Sequence, residues 1–172
     1  MKIHNVHERE YCAPAEDMAG LLAGLGSSDD KLWPNDRWPQ MILDAPLGPG
    51  AKGGHGRIRY HVSEYVPGDH VTFEIDDEGL IGGMNGFHRF EIVGRNGGTI
   101  LRHIVDATCN LKMWLLWHVM VGPMHDALLE DALDRAERFL GCEPKKPARW
   151  SLWVRAMRNR ARKAQERKMR RE

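Results

Sequence analysis

Five stretches in the middle of the chain alternate apolar and polar residues, and a long helical stripe of apolar residues follows them. The stretches cover residues 40–44, 56–66, 70–76, 84–93 and 99–111. Turn sequences at 67–69 and 95–98 separate two pairs of them, and the glycine-rich segment 53–56 is also predicted to be a turn. Alternation places apolar side chains on one face of each strand. The pattern predicts an antiparallel sheet with one solvated face and one face that another element must cover.

Residues 112–140 form the element that can cover the apolar face. Their apolar residues recur at helical spacing, and the stripe is predicted to kink at Gly122-Pro123. Upstream, residues 2–11 are predicted to form a first strand, and a helix begins at the segment Ala13-Pro14-Ala15-Glu16-Asp17. A short second helix is expected near residues 28–33.

This order of elements, with the phrase Ala13-Pro14-Ala15-Glu16-Asp17-Met18-Ala19-Gly20-Leu21-Leu22, resembles the START/Bet v 1-like (SRPBCC) superfamily, and within it the polyketide cyclase/dehydrase-like proteins. The resemblance covers residues 1 to about 140. It implies an α+β helix-grip fold, in which a curved antiparallel sheet of about six strands wraps around the long C-terminal helix. An apolar cavity is then expected between sheet and helix. Such folds serve both carriers and enzymes, so the fold alone does not select a function.

The composition indicates how the fold is stabilised and in which cellular compartment the protein is expected. A chain of 172 residues, 42% of them hydrophobic, can bury a core without disulfide or metal. Its three cysteines are widely separated and lack the spacing of zinc ligands or of a disulfide framework. The N-terminal residues are charged, unlike a signal peptide, and the most apolar window, 113–124, is too short to cross a bilayer. We therefore expect a cytoplasmic protein.

A basic tail follows the predicted ligand-binding domain of residues 1–141. Residues 143–172 contain twelve basic and three acidic residues, a net charge of +9, whereas residues 1–142 carry −8. Trp150, Trp153 and Met157 share one stripe of a basic amphipathic helix. Residues 142–172 are predicted to be a linker and tail that packs on the body, self-associates or contacts an anionic membrane surface. Nucleic acid is not expected as a partner.

Aromatic and apolar side chains are predicted to line the cavity and to bind a hydrophobic small molecule, such as a lipid, a polyketide or an aromatic compound. The set comprises Trp33, Trp38, Tyr60, Phe73, His88, Phe90, His103, Val105, Trp117 and Val121. The alternative is that the same side chains fill the core completely.

Three histidines are predicted to converge, His88 and His103 from the sheet and His125 from the covering helix. Because imidazole titrates near neutral pH, His103 and His125 are candidate general bases, and Tyr60 and Arg37 are candidates to polarise a carbonyl group. No close ligand pair such as HxxxH or HxH supports a metal, so neither a metal nor a cofactor is expected. The simpler interpretation is that each histidine is a hydrogen-bonded core residue.

The covering helix also has an acidic face, which is predicted to be solvated. It comprises Asp126, Glu130, Asp134 and Glu137. Three classes of function remain open for the chain as a whole. The protein could be a carrier of a hydrophobic small molecule, or a metal-free cyclase, aromatase or dehydratase that uses the same cavity. The third class is an interaction module that acts through the basic tail.

Overall fold

A seven-stranded antiparallel sheet forms the body of the protein. The computed structural model describes residues 1–95 and 98–169, so the predicted turn at 95–98 lies partly outside the described residues. The strands are β1 (Lys2–Tyr11), β2 (Met41–Leu43), β3 (Lys52–His55), β4 (Ile58–Val66), β5 (His70–Ile75), β6 (Met84–Arg95) and β7 (Gly98–Cys109). They lie in the order β1-β7-β6-β5-β4-β3-β2.

The first helix and the long helix after the sheet lie where the sequence predicts them. Helix α1 (Ala15–Ala23) follows β1, and a short 3₁₀ turn (Gly79–Ile81) precedes β6. A continuous helical stretch after β7 comprises α2 (Leu111–Leu116), a π-helical segment (Trp117–Val121) and α3 (Gly122–Phe139). Helix α4 (Leu152–Met169) forms the tail. The α+β helix-grip fold is thereby confirmed.

The seventh strand is β3, which the sequence analysis assigned to a turn. Glycine makes this strand possible, because Gly54 has φ +152° and a Cβ atom there would lie 2.0 Å from the carbonyl oxygen of Ile58. Gly86 in β6 has the same φ, and its Cβ would lie 2.3 Å from the Asp106 carbonyl oxygen. Side chains larger than hydrogen would therefore disrupt the close strand pairing at both positions.

The predicted second helix does not form, and residues 28–33 are turns instead. The carboxylate of Asp30 accepts hydrogen bonds from the backbone N–H groups of Leu32 and Trp33, at 2.9 and 2.8 Å. It also accepts one from Gly26 N–H at 2.8 Å. Such local side-chain bonds satisfy backbone donors without a helix, which explains the difference.

The irregularity of the long helix lies just before Gly122-Pro123, as a π-helical segment. Pro123 has no N–H, so the carbonyl of Val119 four residues earlier lacks its usual helical donor. The indole Nε1–H of Trp153 in α4 donates to that carbonyl at 2.8 Å. A contact from the tail thus completes the hydrogen bonding of the long helix.

Two hydrophobic clusters fill the space between sheet and helix. The larger one contains Tyr60, Phe73, Phe90, Leu128 and the buried residues of α1, and Val154 of the tail belongs to it. The smaller one contains Val105, Met113, Trp117 and Val121. The tail therefore packs on the body, one of the arrangements that the sequence analysis left open.

Candidate functional site

A row of histidines lies at the boundary of the two clusters, and we call it the histidine row. It consists of His55 on β3, His88 on β6, His103 on β7 and His125 on α3. His88 and His103 point inward because strand alternation puts them on the same face as Phe90 and Val105. The predicted convergence of the imidazoles from sheet and helix is therefore present.

The members of the row are in contact one after another. His55 Nδ1 lies 3.0 Å from the hydroxyl oxygen of Tyr60, whose ring meets that of His88 edge-on at 4.7 Å between centroids. His88 Nδ1 lies 3.3 Å from His103 Nε2. The rings of His103 and His125 follow at 5.1 Å between centroids.

Aromatic side chains form the walls of the row. The ring of Phe73 stacks on His88 at 4.8 Å, and that of Phe90 meets His103 edge-on at 4.5 Å. At the two ends, the rings of Trp33 and Trp117 lie 4.7 and 5.6 Å from those of His55 and His125. The surroundings of the imidazoles are thus apolar and aromatic.

These surroundings keep the row neutral. Burial lowers the pKa of His88 and of His103 well below the usual value, and it lowers the pKa of His125 as well. Burial, followed by the nearby His125 and Arg59, lowers the pKa of His55 to about 3. All four rings are therefore neutral at pH 7. Burial also raises the pKa of Tyr60 far above its usual value, which keeps its hydroxyl protonated.

Because both rings are neutral, the hydrogen-bonding roles of the ring nitrogens of His88 and His103 are linked. Each neutral ring carries one N–H and one lone pair, and the bond between the two rings uses one of each. The two remaining nitrogens, His88 Nε2 and His103 Nδ1, must therefore be one donor and one acceptor, whichever tautomers are present. Both are buried and have no hydrogen-bond partner among the described residues.

A charged cluster adjoins the outer end of the row, and we call it the His7 cluster. Its members are Asn5, His7 and Arg9 of β1 and Asp126 and Glu130 of α3. His7 Nδ1 lies 2.8 Å from Glu130 Oε1, and His7 Nε2 lies 3.1 Å from Asp126 Oδ1. The ring of His7 lies 6.0 Å from that of His125, so the cluster continues the row toward the surface.

The acidic face of α3 is consequently not the solvated face that the sequence predicts. Strand β1 covers it, with Arg9 donating to Glu130, Asp134 and Glu137 at 2.8, 2.5 and 2.6 Å. Asp134 is only 2% exposed. The polar side chains on the inward face of β1 are the physical reason for the difference.

The charges of this cluster shift its ionisation. Burial alone would lower the pKa of His7, but hydrogen bonds to Asp126 and Glu130 outweigh burial and raise this pKa to about 9. Burial alone would raise the pKa of Asp126, but the nearby ring of His125 and the hydrogen bonds with His7 and Asn5 outweigh burial and lower this pKa. The bond from His7 is the main cause of the lowered pKa of Glu130. A cationic imidazole thus lies next to the neutral row, and such opposed shifts are typical of acid–base sites.

The structure brings most of the predicted lining residues together but not all of them. Tyr60, Phe73, Phe90 and the histidines contact one another, as described above. Val105, Trp117 and Val121 lie on the other side of the row, in the smaller cluster.

Arg37 and Trp38 lie elsewhere and form a separate cluster around Asp131. Arg37 Nη1 and Trp38 Nε1 donate to the Asp131 carboxylate at 2.6 and 2.7 Å, and Trp150 Nε1 of the tail donates to it at 2.8 Å. Asp131 follows His125 by six residues on α3, about 9 Å along the helix axis. Arg37 thus pairs with a buried carboxylate away from the histidine row, and its role as a carbonyl-polarising group stays a prediction.

Sequence reasoning missed two members of the site, His55 and His7. His55 was assigned to a glycine-rich turn and therefore to no face. His7 lies on the same face of β1 as Ile3 and Tyr11, both of which are buried. The inward direction of His7 could have been inferred from these two apolar neighbours at even spacing, although its carboxylate partners lie more than 100 residues away.

The described residues contain one group that could hold a metal ion. It consists of His7, His125 and Asp126, whose ligand atoms all lie within 4.8 Å of one another. Two surface depressions, of about 560 and 570 Å³, lie away from the histidine row. The second is apolar and is lined by α2 with Val119.

Solved structures with this architecture support the fold assignment. No family model and no curated protein matches the sequence. A protein of Thermobifida fusca, solved by NMR, is 18% identical over 82% of this chain and 97% of its own, with a TM-score of 0.62. CalU16 from Micromonospora echinospora is 17% identical over 91% of this chain and 82% of its own, with a TM-score of 0.56.

A third similar structure is norcoclaurine synthase from Thalictrum flavum in complex with dopamine and hydroxybenzaldehyde. It is 14% identical over 84% of this chain and 90% of its own, with a TM-score of 0.61. The protein thus has the helix-grip fold of the START/Bet v 1-like proteins. Among the described residues, no helix is both long and apolar enough to span a membrane.

Proposed function

We propose that the protein binds a small, mainly aromatic or apolar molecule that carries hydroxyl or carbonyl groups, with the histidine row as its binding site. The observation that carries the proposal is the pair of buried, unpaired ring nitrogens, His88 Nε2 and His103 Nδ1. An unpaired buried polar atom costs about 1–3 kcal/mol. A ligand with one donor and one acceptor oxygen would remove that cost at both atoms.

The walls of the row favour the same class of ligand. Phe73, Phe90 and Trp117 offer flat apolar surface around the polar nitrogens, which is the usual composition of small-molecule sites. Norcoclaurine synthase, which shares the fold, has been solved with two hydroxylated aromatic molecules. This likeness supports the ligand class and not a particular ligand.

Entry of such a ligand requires movement. The rings of His88 and His103 are in contact with each other and with their neighbours, so a guest must separate them. The helical stretch that closes the smaller cluster includes the π-helical segment Trp117–Val121, and such segments are frequent at functional sites. We expect this segment to move outward when a ligand binds.

The test compares two probes that differ only in a hydroxyl group, 2-naphthol and naphthalene. One neutral hydrogen bond corresponds to about 0.5–1.5 kcal/mol, so the wild-type protein should prefer 2-naphthol by about 3–10-fold. In His103→Leu this preference should disappear while naphthalene still binds. His61→Leu is the matched control, because His61 lies on the opposite face of the sheet next to Asp76. An unchanged preference in His103→Leu would refute the proposal.

An enzyme of the cyclase, aromatase or dehydratase type is the second candidate. The His88–His103 pair favours it, because one free nitrogen can accept a proton and the other can donate one. Both rings stay neutral in this step because the proton between His88 Nδ1 and His103 Nε2 passes from the accepting ring to the donating ring. His103 or His125 would act as the base, and Tyr60, which contacts His55 and His88, would polarise a carbonyl group. If His103→Gln and His125→Gln both turn over polyketide or aromatic ketone substrates like wild type, this candidate is rejected.

Several expectations from the sequence stay predictions. They are the cytoplasmic location and contact of the basic tail with an anionic membrane or with a second copy of the chain. The packing of Val154 and Trp150 on the body means that such contacts would involve the exposed side of α4.

A further inference from the structure

We propose that His7, His125 and Asp126 form a binding site for a divalent transition metal ion of the zinc type. The three residues offer two imidazole nitrogens and one carboxylate, the donor set that Zn²⁺ prefers outside cysteine sites. They come from two elements, β1 and α3, so the three residues do not form a short sequence motif. The sequence expectation of no metal rested on the three cysteines and on His88, His103 and His125, and it did not consider His7.

The distances fit an ion after a modest adjustment. His7 Nε2 lies 3.1 Å from Asp126 Oδ1, and His125 Nδ1 lies 3.9 Å from the same oxygen. Zinc–ligand bonds of about 2.0–2.2 Å place the ligand atoms roughly 3.3–3.6 Å apart. The three ligand atoms lie within 4.8 Å of one another, so the longest separation must shorten by at most about 1.5 Å, which side-chain rotation can supply.

The surroundings hold two of the three groups in the orientation that ligation requires. His7 Nδ1 contacts Glu130 Oε1 at 2.8 Å, which leaves Nε2 toward Asp126, and Arg9 in turn donates to Glu130 Oε2 at 2.8 Å. Metal-binding histidines almost always have such a carboxylate on the second ring nitrogen. Asn5 Nδ2 donates to Asp126 Oδ1 at 3.0 Å and so orients the carboxylate ligand.

Two buried polar atoms at the same place are available to a ligand. His125 Nδ1 is buried and has no hydrogen-bond partner among the described residues. The same holds for Asn5 Oδ1, whose amide nitrogen already contacts Asp126. The ion pairs of His7 with Asp126 and Glu130 provide a partner neither for His125 Nδ1 nor for Asn5 Oδ1. A bound cation would be a direct partner for His125 Nδ1.

Three protein ligands leave at least one coordination position for water or another small ligand, as in catalytic rather than structural zinc sites. The ring of His125 also contacts those of His103 and Trp117, so the ion would lie at the outer end of the histidine row. Zinc binding and the binding of an aromatic ligand at the histidine row are measured in separate experiments. Either proposal can therefore fail without the other.

The experiment uses the full-length protein after treatment with a chelator. Titration calorimetry with Zn²⁺ should give one ion per chain, and Co²⁺ should give the visible spectrum of a site with nitrogen and oxygen ligands. Glu130→Gln, which keeps all three proposed ligands but replaces the carboxylate that contacts His7 and Arg9, should weaken Zn²⁺ binding by about 10–100-fold. His125→Gln and Asp126→Asn, which remove ligands, should weaken it at least as much.

His4→Gln is the matched control, because His4 also lies on β1 and pairs with a carboxylate, Asp106, but on the exposed face. Circular dichroism establishes that each variant is folded. Asp126 is half exposed, so its variant remains informative if the His125 variant unfolds. Absence of stoichiometric Zn²⁺ binding overturns the proposal. Binding that persists unchanged in Asp126→Asn also overturns it, since the ion would then lie elsewhere.

Discussion

His88 Nδ1 and His103 Nε2 lie 3.3 Å apart on neighbouring strands, in a core where both side chains are at most 9% exposed. Burial holds both rings neutral, so the pair always presents one donor and one acceptor at its two free nitrogens. A wholly apolar core would have been simpler to fold. The pair is therefore the strongest indication that this interior serves recognition or proton transfer.

The neutral histidines predict a specific loss of stability in acid. His55 has a folded-state pKa of about 3, below the value of about 6.5 for an unfolded chain, so its contribution is fully present above pH 6.5. It is lost as pH falls from 6.5 toward 3. In His55→Gln, the free energy of unfolding should depend less steeply on pH in this window, by up to about 1.4 kcal/mol per pH unit. Urea unfolding at several pH values measures the slope, and equal slopes in wild type and variant would contradict the account.

Trp150 is predicted to matter more for stability than Trp153, although both indoles of the tail donate hydrogen bonds to the body. Trp150 Nε1 donates to the buried carboxylate of Asp131, and Trp153 Nε1 donates to an exposed carbonyl. Trp150→Phe should lower the free energy of unfolding by about 1.5–3 kcal/mol. Trp153→Phe, the matched control, should change it by less than about 0.5 kcal/mol. Similar values for the two variants would show that the tail does not depend on the Asp131 contact.

Arg9 is predicted to be essential to the fold, because it neutralises the nearly buried Asp134 and also binds Glu130 and Glu137. Removal of one partner of a buried ion pair typically costs about 3–5 kcal/mol. Arg9→Gln should therefore be strongly destabilised in thermal or urea unfolding. Arg102→Gln loses the more exposed pairs with Glu8 and Glu91 and should cost at most about 1 kcal/mol. A small effect of Arg9→Gln would contradict this prediction and would mean that Arg138 and the backbone N–H of Ala148 are sufficient partners for Asp134.

The fold could be predicted from the sequence because its signals are local. Alternation in β4 to β7 and the helical stripe of residues 112–140 each require only near neighbours along the chain. The strand β3 was missed because its glycines are typical of a turn, and only pairing with β2 and β4 makes the segment extended. An irregularity near Gly122-Pro123 was predicted from these two residues, whereas the hydrogen bond from the distant Trp153 to the Val119 carbonyl has no local signal.

The site was predictable only in part, for the same reason. Strand alternation was enough to place His88 and His103 on the inward face. It could not show that β1 lies over α3, which pairs His7 with Asp126 and Glu130 across more than 100 residues. The contact of Arg37 with Asp131 was not predicted, because the two residues are 94 positions apart and no local pattern encodes their pairing.

The central claim is that the free nitrogens of His88 and His103 bind the polar groups of an aromatic ligand. It is tested most directly by NMR of the histidine ring nitrogens in ¹⁵N-labelled protein during titration with 2-naphthol. The account predicts saturable shifts of the ring nitrogens of His88 and His103, while those of His4 and His61, which lie on the outer face of the sheet, stay unchanged. Saturable binding of 2-naphthol that leaves both buried rings unshifted, or no binding at all, would contradict it.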